Sequence, residues 1–120
     1  MTPACLRMTV DGCPVPKGRP RFGRGRTYTP AKTRAAERTI KLLALAAGWR
    51  PLPGRLAVHV AFYLPDHRRV DLDNLVKILD ALNGVAWADD AQVATLEAEK
   101  HLGDPLPRTE IEVLRLGDAP

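Results

Sequence analysis

The residues best suited to chemistry in this chain are Asp71-Leu72-Asp73-Asn74-Leu75, with Lys77 a turn further on and Asp89-Asp90 beyond it. Carboxylates crowded together repel one another, and the cost is relieved when a cation sits between them. A hard divalent ion such as Mg2+ takes oxygen ligands and keeps positions open for water and a phosphate oxygen. Asp71, Asp73 and Asp90 are therefore candidate metal ligands, with Asp89 as an accessory. Lys77 is placed to touch the phosphate or orient the attacking water. Such a set hydrolyses a phosphodiester without an organic cofactor. A plainer role competes with each assignment: aspartate at a helix start caps it and complements its dipole, and Asp89-Asp90 alone makes a solvated turn. Aspartate-x-aspartate also occurs in sugar transferases and phosphatases. A calcium loop is excluded, because no glycine holds its sixth position and no glutamate closes it. Asp80 is expected to pair with Lys77 or to support the site from behind.

The charge surrounding this cluster has the opposite sign. The net charge is +4, and between Lys17 and Lys41 nine Lys or Arg residues face a single acid, Glu37. A positive approach surface beside a negative pocket suits an enzyme that cuts nucleic acid; a protein that only binds DNA does not need the acids. Pro16-Lys17-Gly18-Arg19-Pro20-Arg21 and Gly23-Arg24-Gly25-Arg26 interleave cations with residues that keep the backbone extended. The arginine fork donates two hydrogen bonds to one phosphate. Lys17, Arg19, Arg21, Arg24 and Arg26 are thus candidate DNA contacts, joined by Tyr28 for stacking and by Arg68 and Arg69 ahead of the acids. The competing role is a solvated loop kept for solubility.

These residues need elements to position them. Leu6 to Val10 alternates as a strand and stops at Asp11-Gly12. The prolines and glycines from Pro14 to Gly25 permit only an extended loop or a loose hairpin. Ala31 to Ala47 reads as a helix capped by Thr29-Pro30 and ended by Gly48, with Ile40, Leu43, Ala44 and Ala47 on its apolar side. Leu56 to Leu64 is a second strand. A second helix is expected from Leu72 or Asp73 to Leu82, stopped by Asn83-Gly84, with Asp73, Lys77 and Asp80 sharing one face. Asp90 then folds back toward the first two aspartates, and Trp87 packs over the turn carrying Asp89 and Asp90. Gln92–His101 and Thr109–Leu116 complete the order β-α-β-α-β-β: an α+β fold, one small domain over residues 1–120, with a mixed sheet and two helices on one side.

With 120 residues the chain can bury one modest core. It has no apolar run of membrane-span length and no signal-peptide pattern, and its two cysteines match no zinc spacing. The expected setting is cytoplasmic, with both thiols reduced and no membrane partner.

Two blocks together resemble the RusA-type crossover (Holliday) junction endodeoxyribonucleases, a family common in phages and prophages. The first runs from Pro16-Lys17-Gly18-Arg19-Pro20-Arg21 through Tyr28-Thr29-Pro30. The second runs from Asp71-Leu72-Asp73-Asn74-Leu75-Val76-Lys77 through Trp87-Ala88-Asp89-Asp90-Ala91-Gln92-Val93. The likeness covers about Asp11 to Lys100. It implies a homodimer that binds branched DNA and nicks two strands symmetrically with Mg2+, Mn2+ serving as a substitute. It also implies that Asp71, Asp73 and Asp90 are the acidic ligands and Lys77 the essential lysine. One departure stands out: family members usually carry one more residue between that lysine and the stretch Asp80–Gly84. In an α-helix a missing residue turns the rest of the helix by about 100°.

The expected function is a structure-selective DNA endonuclease that resolves four-way junctions in recombination and repair. The sequence leaves open a branched-DNA-binding protein without catalysis, and a metal-dependent nuclease for flaps or single strands.

Overall fold

Alternation of apolar and polar residues builds the centre of a four-stranded sheet. The computed structural model describes residues 4–18, 21–23, 26–28 and 31–116. The four strands are β1 (Cys5–Asp11), β4 (Leu56–Tyr63), β5 (Val93–His101) and β6 (Arg108–Arg115), in the spatial order β1-β6-β4-β5. β4 sends Leu56, Val58, Val60 and Phe62 to one face, and β6 adds Ile111 and Val113 there. Leu6, Met8 and Val10 of β1 join them. The other face is polar, carrying Arg7, His59, Glu99, Glu110 and Glu112 in its central hollow. β6 pairs antiparallel with β1 and β4, whereas β4 and β5 run parallel. A parallel pair needs a crossover, and the acidic cluster lies within it.

Both helices cover the apolar face, as expected for the α+β order. α1 (Ala31–Ala46) buries Thr33, Ile40 and Ala44. Leu43, expected on that stripe, is instead 41% exposed, because the buried side of the helix runs along Thr33, Ile40 and Ala44. Gly48 ends the helix with φ +84°, a backbone state glycine adopts without strain. The Thr29-Pro30 start lies outside the described residues.

The second helix differs from the expected single α-helix. α2 (Leu72–Val76) is one short α-helical stretch, and Lys77–Leu82 continues as a 3-10 helix. Leu75, Ile78, Leu79 and Leu82 all stay buried in the core. Three residues per turn stack Leu79 and Leu82 one above the other on the buried side. Gly84, φ +84°, then turns the chain at an Asn83–Trp87 bridge, and a 3-10 turn, Asp90–Gln92, leads into β5.

Of the two forms expected for the Pro/Gly-rich segment, the hairpin is the one found. β2 (Arg21–Gly23) and β3 (Arg26–Tyr28) form an antiparallel two-stranded hairpin. Cys5 and Cys13 are unbridged. Among the described residues, no helix is long and apolar enough to cross a membrane.

Candidate metal and nucleic-acid site

Asp71 is the N-cap residue of α2, with extended backbone (φ −73°, ψ 131°), and its carbonyl accepts from the N–H groups of Asn74 and Leu75. Its carboxylate makes no capping bond, so the plain capping role does not account for it. Asp73 sits in the first turn, and both side chains are exposed. Lys77 opens the 3-10 segment and lies 3.4 Å from Asn74 Oδ1. These three residues share the end of the sheet where β4 and β5 finish. Lys100 Nζ donates to the carbonyl of Val70 at 2.7 Å, which pins the chain just before Asp71.

Asp90 is elsewhere. Gln92, two residues on, donates to the carbonyls of Leu52 and Gly54, and Val93 pairs with Leu56 at the start of β4. α2 and the 3-10 segment, together about 20 Å long, separate this turn from Asp71. Among the described residues, no three Asp, Glu, His or Cys groups gather so as to hold an ion. The expected return of Asp90 to the other two aspartates within one chain is therefore not observed. The physical reason is the crossover itself, which begins at one end of a parallel strand pair and must finish at the other.

Asp90 is fixed where it stands by the indole of buried Trp87, whose Nε1 donates to Oδ1 at 2.7 Å. Asp89 is a cap: its carboxylate accepts from Ala91 N–H at 2.8 Å, and Gln92 Oε1 accepts from Asp89 N–H at 3.1 Å. Sequence reasoning alone misses Gln92, although the Asp-x-x-Gln spacing of a capping box is a signal that finds it. Lys100 carries no such local signal.

The basic residues divide into three groups. Arg19 and Arg24 lie outside the described residues, whereas Arg21, Arg26 and Tyr28 belong to the hairpin strands. Lys17 and Arg68 are already engaged. Lys17 Nζ lies 3.0 Å from Asp80 and 3.8 Å from Glu37, so the expected Asp80–Lys77 pair is replaced by Asp80–Lys17. Residues i and i+3 eclipse in a 3-10 helix, which keeps Lys77 and Asp80 on one side, but Asp80 turns to Lys17 while Lys77 turns to Asn74. Arg68 forks onto Asp66 with bonds of 2.7 and 2.8 Å, and this hydrogen bonding holds the Asp66 carboxyl at about 2. Arg69 is exposed and has no ion-pair partner among the described residues.

The donor set at the α2 start fits a hard divalent ion. Mg2+ commonly binds through one or two carboxylates while keeping several waters, and Asp71 and Asp73 offer two such carboxylates. The open sheet face does not suit a polyanion, because Glu99, Glu110 and Glu112 line its hollow.

Residues 11–114 match the family model described as Endodeoxyribonuclease RusA. The chain is also 35% identical to the crossover junction endodeoxyribonuclease RusA of Escherichia coli strain K12, over 82% of this chain and 84% of that one. The chain belongs to the RusA endodeoxyribonuclease family. The RusA protein of Enterobacteria phage 82 is likewise 35% identical over the same shares. An uncharacterized Bacillus subtilis protein, YqaN, is 30% identical over 91% of this chain and 95% of its own. The RusA match spans β1's last residue to β6, so the hairpin, the α2 start and the Trp87–Asp90 turn all fall inside it.

Proposed function

We infer that this chain is a Mg2+-dependent endonuclease that cuts four-way DNA junctions and acts as a homodimer in recombination and repair. The observation that carries this is the pairing of exposed Asp71 and Asp73 beside Lys77 at one end of the sheet, in a member of the RusA family. Asp71 and Asp73 hold the ion through hard carboxylate oxygens. When bound, the ion supplies an acidified water and a counter-charge to the phosphate. Lys77, a turn from Asp73, donates to a phosphate oxygen and stabilises the charge that grows there. Arg69 and the hairpin arginines hold the flanking backbone.

Asp90 joins this set from a second copy. Its place at the far end of the crossover supports this, and so does a substrate with two equivalent strands to cut, which suits a two-fold pair of chains. Asp89 acts by capping the turn that presents Asp90.

The test is an end-labelled four-way junction and a matched duplex, with Mg2+ or with chelator. Paired symmetric nicks in the junction alone, lost with chelator, are expected. Asp73→Asn is expected to abolish them while junction binding stays. Junction binding without product from the unmodified protein would replace the enzyme with a DNA-binding module. Equal cutting of both substrates would remove junction selectivity.

A further inference from the structure

Lys17 reads from sequence as one more cation for phosphate, yet its contacts all point inward. Its backbone N–H donates to the carbonyl of Asn74 in α2 at 2.8 Å. Its Nζ meets Asp80 of the 3-10 segment at 3.0 Å and Glu37 of α1 at 3.8 Å. The side chain is only 28% exposed. The neighbouring Gly18 N–H donates to Oγ1 of Thr33, a buried side chain on α1, at 2.9 Å. Lys17 and Gly18 therefore grip both helices at four points. β2 begins at Arg21, a few residues beyond this grip, and Asn74 is the residue next to Asp73.

We propose that Lys17 is a positioning residue, a strut that ties the root of the β2–β3 hairpin to the segment bearing Asp71 and Asp73, so that DNA held by the hairpin is presented to those carboxylates. A cation compensated by two acids contributes little net charge to an approaching phosphate. Losing the strut leaves the hairpin arginines in place but frees their root to swing, and small misplacement of a substrate costs rate more than affinity. This rests on the nuclease reading above.

The strut and the phosphate-contact alternatives predict opposite patterns for Lys17→Met, Asp80→Asn and the double variant. As a strut, each single change lowers single-turnover cleavage of the junction about tenfold or more. Junction affinity stays within about twofold and the salt slope of binding is unchanged. The double variant is no worse than either single one, because one interaction has been removed twice. Lys17→Arg, which can span the same acids, restores most of the rate. As a phosphate contact, Lys17→Met weakens binding and lowers the salt slope by about one, whereas Asp80→Asn strengthens binding by releasing the lysine. That result overturns the proposal.

A second measurement is independent of catalysis. Amide hydrogen exchange at Lys17 and Gly18 is expected to accelerate at least about tenfold in Lys17→Met and in Asp80→Asn, with β4 amides unchanged. Unchanged exchange overturns the strut even if the unmodified protein cuts junctions. If the unmodified protein cuts nothing, the nuclease reading fails and accelerated exchange still upholds the anchoring of the hairpin root. Asp80→Asn alters a side chain 58% exposed, so it tests the strut even where Lys17→Met does not fold.

Discussion

The indole N–H of Trp87 donates to Oδ1 of Asp90 at 2.7 Å, tying an exposed carboxylate to a ring that is 3% exposed. Asp90 is thereby aimed by the core, and among the described residues Oδ2 has no partner. A donor that holds a metal-binding carboxylate in this way fixes its orientation, and losing it commonly costs about tenfold or more in activity.

Trp87→Phe should therefore lower junction cleavage by about tenfold with junction affinity nearly unchanged. The lost hydrogen bond and smaller ring should together cost about 1–3 kcal/mol of stability. Cleavage rate, binding and urea unfolding of the same preparation check the three parts. Full activity would show that Asp90 needs no such aim.

Asp90 and the pair Asp71/Asp73 should complement each other between chains. Asp73→Asn and Asp90→Asn should each be inactive alone. Mixed and allowed to exchange subunits, they should recover nicking of one strand, since half of the sites in a mixed dimer carry both natural residues. Paired cuts should not return. No recovery in a mixture shown to contain mixed dimers would place the whole site within one chain.

Gln92 should matter for folding more than its half-exposed position suggests. Its amide group donates to the carbonyls of Leu52 and Gly54 and accepts from the N–H groups of Ala88 and Asp89. Gln92→Ala removes all four bonds and should cost about 2–4 kcal/mol in urea unfolding. Gln92→Glu keeps the two acceptor bonds but points an anion at two carbonyl oxygens, so it should not rescue the loss at neutral pH.

Asp66 should make stability depend on acid in a defined window. Its carboxyl is lowered from 3.8 to about 2, mainly by the side-chain hydrogen bonds of Arg68. A carboxyl held low in the folded state stabilises it fully above the unfolded value and loses that effect as pH falls through the folded one. The urea midpoint of the natural protein should exceed that of Asp66→Asn at neutral pH. The gap should close between about pH 4 and pH 2. The same change frees the Arg68 fork, so junction binding should tighten at low salt and its salt slope steepen by about one. An unchanged slope would exclude Arg68 from the DNA surface.

Much of this chain is legible because the signals are local. Period-two alternation marks β4 and β6, and glycine at the ends of α1 and the second helix marks their stops. Asp71, Asp73 and Lys77 stand out within seven residues, and the chemistry they suggest depends on residue type alone. The Asp89–Gln92 capping box is equally local and can be read from its spacing.

The tertiary structure alone decides the partnerships between residues distant in sequence. Nothing near Lys17 announces Asp80, 63 residues away, nor that this pairing takes Asp80 from Lys77. The winding of Lys77–Leu82 as a 3-10 helix, with Ile78, Leu79 and Leu82 buried, is likewise decided by packing and not by a local signal. Exposure of Leu43 results from which side of α1 packs inward, chiefly against that 3-10 segment. Asp90 stands apart from Asp71 and Asp73 for the same reason: residue types declare what a side chain can bind, but the direction of β5 decides what it can reach. Local chemistry comes from the chain itself, while juxtaposition comes from burying one apolar face, which couples every element to the others.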